Sequence, residues 1–240
     1  MKNLMLGLAV AALCGSAVGA TAGTVVTSTK TVGYRNTATA NGYKLVTPTF
    51  VNTDGEALPI TAVTVTGTGT VTLKTFGSNG AFGDTYTWQD GNEDNNNVAG
   101  WYNGQTVCKD LTFKKGEGFV TSADAETAKV CIAGLVPSGS VSYSLPAGYS
   151  IIGNPFNTGV SIQKFKLNVG GMYNANLQSI GADGQTAEIY YWVSDDIAGE
   201  GAGGWYKRNN QNLERLSDVT AQPGTTYLLY TVGAATLTIE

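Results

Sequence analysis

The sequence predicts an all-β protein: two homologous tandem antiparallel β-sandwich or barrel-like domains behind an N-terminal signal peptide. Three observations carry that reading. The chain has 240 residues with 32 Gly, 12 Tyr and no His, and only 13% of it is charged. It is also conspicuously rich in Thr, Val and Asn. Thr, Val and Tyr suit pleated, half-buried surfaces, and Gly and Asn suit turns. No segment keeps a 3.6-residue apolar period over three turns, whereas short strand-like runs recur between turn signals roughly every 8–12 residues. The third observation is that the chain contains itself twice.

That repeat appears when FGSNGAFGDTYTW (Phe76 to Trp88) is laid on IGADGQTAEIYYW (Ile180 to Trp192) without a gap, a shift of 104 positions. The same shift puts Gly67 on Gly171, Leu73 on Leu177, Tyr86 on Tyr190, and Gly100-Trp101-Tyr102 on Gly204-Trp205-Tyr206. NGYKLVTPTFVNT matches AGYSIIGNPFNT with a small slip, and KKGEGFV matches QPGTTYLL after an insertion. A unit of about 100 residues is too long for a solenoid repeat and right for a small β domain.

Taken in order, residues 1–20 read as the signal peptide. One Lys precedes an apolar run from Leu4 to Leu13, and small residues follow up to Ala20. The run is too short to span a bilayer as a helix. Cys14 invites a lipoprotein reading, against which Leu13 is a bulky neighbour. Residues 21–36 form an N-terminal strand or linker, with a Thr/Val strand from Thr24 to Tyr34. Residues 37–137 are the first β domain and 138–240 the second. In the first, VTVTGTGTVTLKTF reads as a hairpin bent at Gly, and in the second TTYLLYTVGAATLTIE reads as two closing strands. Asn79-Gly80 and Asp183-Gly184 are matched turn signals.

The stretches VGYRNTATANGYKLVTPTF and VSYSLPAGYSIIGNPF carry a GY…LPAGY…GNPF pattern. In this the chain resembles secreted, uncharacterised β-rich tandem-repeat proteins of Verrucomicrobia-type bacteria. The first copy departs from the pattern at Thr47-Pro48-Thr49-Phe50, where it expects Gly-Asn-Pro-Phe. The resemblance implies a secreted β-rich repeat protein and carries no activity to any residue.

Charge and chemistry narrow the function. The formal net charge is −4, and loss of Lys2 with the leader makes it −5. An acidic surface argues against nucleic acid and anionic membrane as partners. Without His, the usual base for Ser or Cys nucleophiles and the commonest zinc ligand are missing. The one acid matched in both copies before the Trp is Asp84 with Glu188, a single carboxylate per domain, against the pair a glycosidase needs. The reading is therefore non-enzymatic.

Three groups of residues are candidates for sites. Asp90, Asn92, Glu93 and Asp94 crowd oxygens as calcium loops do. Asn95 and Trp101 stand where a hand-type loop needs Gly and Glu, which leaves an irregular calcium site or a hydrated polar loop. Trp101, Tyr102, Trp205 and Tyr206 are candidates for stacking on sugar rings, or for core packing in both copies, as Trp88 and Trp192 are. Cys108 and Cys131, both on the polar faces of predicted strands, either pair as one disulfide in an exported protein or stay as two unpaired thiols. No cofactor is expected beyond calcium. The functional expectation is an exported, non-enzymatic structural or adhesive protein, secreted, periplasmic or at the cell surface, whose N-terminal strand either pairs with its own first domain or self-associates by completing a neighbouring subunit. The alternative is a carbohydrate-binding module that takes a glycan on those aromatics.

Overall fold

The structure, a computed structural model, describes residues 32–38, 42–52, 57–91, 98–114, 117–125, 127–137, 139–156, 158–180, 185–199, 202–210 and 212–240. The signal peptide, the strand residues before Val32, the loop tip Asn92–Asn97 and the Asp183-Gly184 turn lie outside them.

All-β architecture follows from the alternation in the strands. VSYSL alternates buried and exposed residues, and ATLTI and TYLLYT alternate buried and half-buried ones, because successive side chains point to opposite faces. In the first half the strands are β1 (Val32–Ala38), β2 (Gly42–Val46), β3 (Ala57–Pro59), β4 (Val63–Thr66), β5 (Val71–Phe76), β6 (Phe82–Gln89), β7 (Gly100–Asn103), β8 (Thr106–Val107), β9 (Thr112–Lys114), β10 (Phe119–Ala123) and β11 (Lys129–Leu135). The second half has β12 (Val141–Leu145), β13 (Gly148–Gly153), β14 (Val160–Ser161), β15 (Phe165–Leu167), β16 (Met172–Ile180), β17 (Thr186–Val193), β18 (Gly204–Asn209), β19 (Asn212–Arg215), β20 (Thr220–Ala221), β21 (Thr226–Thr231) and β22 (Ala235–Ile239).

The two halves share one topology. In the first, a three-stranded sheet β1-β11-β4 faces a six-stranded sheet β2-β10-β5-β6-β7-β8, with β3-β9 as a small flanking pair. In the second the orders are β12-β22-β15, β13-β21-β16-β17-β18-β19 and β14-β20. Adding eleven to each strand number of the first half gives the second, strand for strand. Neither half closes into a barrel; both are open sandwiches.

Each sandwich has its own core. Val63, Val130 and Ile132 of the small sheet meet Leu73, Trp101 and Phe119 of the large one. Phe165, Leu237 and Ile239 likewise meet Leu177, Trp205 and Leu229. Burial of this kind stabilises by roughly 1.5–3 kcal/mol per large apolar side chain.

Two expectations change. VTVTGTGTVTLKTF is not a hairpin: β4 pairs with β11 in the small sheet, and β5 pairs with β10 and β6 in the large one. The chain turns a corner between layers at Gly67 and Gly69, both at positive φ. The alternation was right, but both Val/Leu faces point into one core from opposite sides. The strand placed at Thr24 to Tyr34 is described from Val32 to Ala38. It pairs with β11 along its whole length and crosses the boundary drawn at residue 36.

The halves meet at a seam. Gly118 N donates to Ile151 O at 3.1 Å, and Tyr149 N donates to Ser78 O at 2.8 Å. At Gly118 a Cβ would collide with the Ile151 side chain, so only glycine lets β13 approach this closely. Thr47 packs at the same seam with its Oγ1 buried and unpartnered among the described residues. Gly118→Ala should therefore raise amide exchange at residue 118 and Tyr149 while leaving Leu177 and Leu73 protected. Hydrogen-exchange mass spectrometry reads this, and equal loss at Leu177 would show that the seam and cores open together.

Candidate functional site

The residues the repeat singles out come together as one frame in each sandwich. Trp88 stands directly opposite Trp101 on β6 and β7, and Trp192 opposite Trp205 on β17 and β18. Both indole pairs meet edge-to-face with centroids 5.4 Å apart, the arrangement that ring quadrupoles favour. Trp101 Nε1 donates to Val63 O at 2.7 Å, and Trp205 Nε1 donates to Phe165 O at 2.6 Å. Each bond crosses the core from the large sheet to the edge strand of the small one. Tyr102 donates its hydroxyl to Val98 O, and Tyr206 does the same to Ala202 O, four residues back in both copies.

This placement corrects the glycan-stacking candidates. Trp101 is 1% exposed and Trp205 fully buried, and Tyr102 is also buried. Tyr206 alone of the four keeps part of its ring at the surface. The matched acids have neighbours of their own: with burial as the main cause, Asp84 helps raise the pKa of the Tyr86 phenol, and Glu188 pairs with Lys207 at 2.7 Å.

At the calcium-loop candidate, Asp90 accepts from Trp88 Nε1 at 2.9 Å. In the twin, Trp192 Nε1 uses the Val169 carbonyl instead, also at 2.9 Å. Asp90 thus completes the frame of its own copy. Asn92, Glu93 and Asp94 lie outside the described residues.

The expected disulfide is not formed; both thiols are free. Cys131 sits between core-facing Val130 and Ile132 and points to the other side of β11, where Thr66 Oγ1 lies 3.4 Å from its sulfur. Cys108 follows the end of β8, with its backbone N on Trp101 O, and packs against the core. The strand ends at Val107, so the alternation used to place Cys108 does not run through it. The two side chains lie on opposite sides of the small sheet. Under non-reducing conditions the unfolded chain should alkylate at both residues, and its mass should not change on reduction. A two-proton mass deficit would show a bridge.

Two surface features remain. A cleft of ≈ 310 Å³ lies at the seam, lined by Phe76, Ser78, Lys114, Glu117, Ser144 and Tyr149 among others. Glu117 Oε2 accepts from Lys114 N, which ties that acid to its own turn. The other feature spans the outer face of the second large sheet. Tyr149, Tyr230, Asn176, Tyr191, Tyr206 and Arg215 are successive cross-strand partners in one row over all six strands. Sequence reading missed this row, because its members are scattered over 82 positions from 149 to 230 and only strand register aligns them.

No protein-family model, curated protein or solved structure matches the chain.

Burial also acts on the phenols facing the core. Desolvation pushes Tyr227 up to about 12 and Tyr143 higher still, against an ordinary value of 10.0. A raised phenol is neutral in both folded and unfolded chains below pH 10, so it contributes nothing there. Above that the unfolded chain ionises first, and stability falls until the folded phenol also ionises. Denaturant midpoints should drop between about pH 10 and pH 12, less steeply in Tyr227→Phe. Trp205→Ala should cost roughly 3–5 kcal/mol. A Trp205→Ala protein of unchanged melting temperature would overturn its place in the core.

Proposed function

We propose that the chain is an exported, non-enzymatic structural or adhesive protein of the cell surface or extracellular space. The observation that carries this reading is that the aromatic residues shared by both copies are spent on the fold. Indole pairs, carbonyl anchors and tyrosine caps recur at matched positions, so what the copies have in common is a mechanical frame. Two such sandwiches, joined backbone to backbone at the seam, make a stiff tandem unit of the kind a surface layer or spacer needs. The leader-like N-terminus supports export. Among the described residues, no helix is long and apolar enough to cross a membrane.

Self-association through the N-terminal strand is retained as part of this reading only for residues before Val32. From Val32 to Ala38 the strand is paired within its own chain, in the position that β12 holds in the second sandwich. The carbohydrate-binding alternative loses buried Trp101, Tyr102 and Trp205. The tyrosine row on the second large sheet, which includes Tyr206, favours it independently.

Cell fractionation with intact-mass analysis tests the leading reading. The expected species begins at Thr21 and is found in the envelope or medium. A full-length chain retained in the cytoplasm would overturn export.

A further inference from the structure

We propose that the outer face of the large sheet in the second sandwich binds an extended anionic polysaccharide, whose sugar rings carry carboxylate or sulfate. The inference gives the adhesive reading a ligand and rests on that reading only for where the ligand is met.

The face has the shape of a long, shallow strip. From Tyr230 the row runs through Asn176, Tyr191 and Tyr206 to Arg215, each directly opposite the next on β21, β16, β17, β18 and β19. Four strand spacings make a strip of roughly 19 Å. Tyr149 extends it toward the seam, its ring 5.0 Å from that of Tyr230. Tyr173 stands edge-on to Tyr191 at 5.2 Å. The row's Tyr149, Tyr230, Asn176, Tyr191 and Tyr206 are half-buried against one another and Arg215 is exposed, while Tyr173, Ile189 and Val232 beside them are 44%, 38% and 60% exposed. A long, shallow strip of aromatic rings suits a chain of flat rings, which presents C–H groups to tyrosine and hydroxyls to amides. A protein partner would more characteristically seat anchors in pockets. The amides are held in order: Thr186 Oγ1 donates to Gln178 Oε1, and Gln178 Nε2 donates to Asn176 Oδ1.

The sister sandwich does without such a strip. Its large sheet carries Ser122, Thr72, Thr87, Tyr102 and Val107 in the same cross-strand row. There Thr72 and Ser122 simply hydrogen-bond each other at 2.7 Å. A fold that stands with Thr and Ser at these positions does not require Tyr191, Tyr230 or Asn176. The inner faces match, whereas along this outer row only Tyr102 and Tyr206 do.

Charge selects the ligand. On β16 to β19 and β21, the positions sharing the row's side of the sheet include Arg208 and Arg215 and no Asp or Glu, in a chain of formal charge −4. Glu188, Lys207 and Glu214 alternate to the other side, where Lys207 and Glu188 neutralise each other. Arg208 Nε donates to Asn210 O and Arg215 Nη2 to Gly203 O, which tethers each guanidinium and leaves further N–H donors. A planar fork of donors matches a carboxylate or sulfate.

The test is titration calorimetry of the purified chain with alginate oligosaccharides, dextran sulfate and uncharged dextran. Binding is expected to one or both anionic probes, weakening with added salt. It should fall roughly tenfold or more in Tyr191→Thr with Tyr230→Ser, which install the residues of the sister sheet and should leave the melting temperature nearly unchanged. Arg208→Gln with Arg215→Gln should weaken the anionic probes similarly. Alginate against dextran sulfate tells carboxylate from sulfate. No binding to either, uncharged dextran bound as tightly, or affinity unchanged in both double variants would overturn the proposal. A secreted chain that binds none of the probes sinks this inference and leaves export standing; a cytoplasmic chain that binds alginate does the reverse.

Discussion

The hydrogen bond from a buried indole to the edge of the opposite sheet is the contact on which each sandwich depends. β4 and β15 are edge strands of the small sheets, and a carbonyl buried at such an edge has no ladder partner. Trp101 and Trp205 reach across the core to supply one. The same side chains fill the centre of the hydrophobic layer and pair with a second Trp on the neighbouring strand. Layer spacing, edge closure and core volume are thus set by one residue per copy. Losing the donor would leave a buried acceptor unsatisfied, a penalty of roughly 1–3 kcal/mol before any packing is lost.

With the interior committed in this way, variation is confined to the outside. Asp90 replaces a backbone carbonyl as partner of the first indole in one copy, and the Asp/Asn-rich tip follows from there. The outer sheet faces have diverged further. One carries a hydroxyl ladder and the other a tyrosine row with arginine at its end. Both suit a pleated surface, so the fold tolerates either choice, and the difference belongs to what the surface meets.

The seam makes the two sandwiches one body without merging their cores. Ile151 points outward from its own sheet and would be an exposed apolar residue on an isolated sandwich. Against Gly118 it is buried. Tyr149, half-buried, sets its ring beside Gly80 and its backbone N–H on Ser78 O, and so ends the tyrosine row where the first sandwich begins. The junction therefore draws its apolar contacts from the edge of the row and leaves the centre open.

By itself the sequence determined the all-β class, the two closing strands Thr226–Thr231 and Ala235–Ile239, and the residues of the shared frame. Period-two alternation and an internal copy are local signals that survive without knowing which strand pairs with which. It did not determine the sheet to which each strand belongs. The Val/Thr run at Val63–Phe76 alternates equally well as a hairpin or as a corner between layers, and only pairing with β11 and β10 decides. The same gap misled the reading of Cys108 and Cys131, whose faces were inferred within strands while their separation depends on the layer. Burial of Trp101 and Trp205 could not be told from stacking on a ligand, since both uses keep the same residue in both copies. Tyr230, Asn176, Tyr191 and Tyr206 became one surface only through register between strands far apart in the chain. Side-chain direction is written residue by residue, and adjacency is written by the sheet.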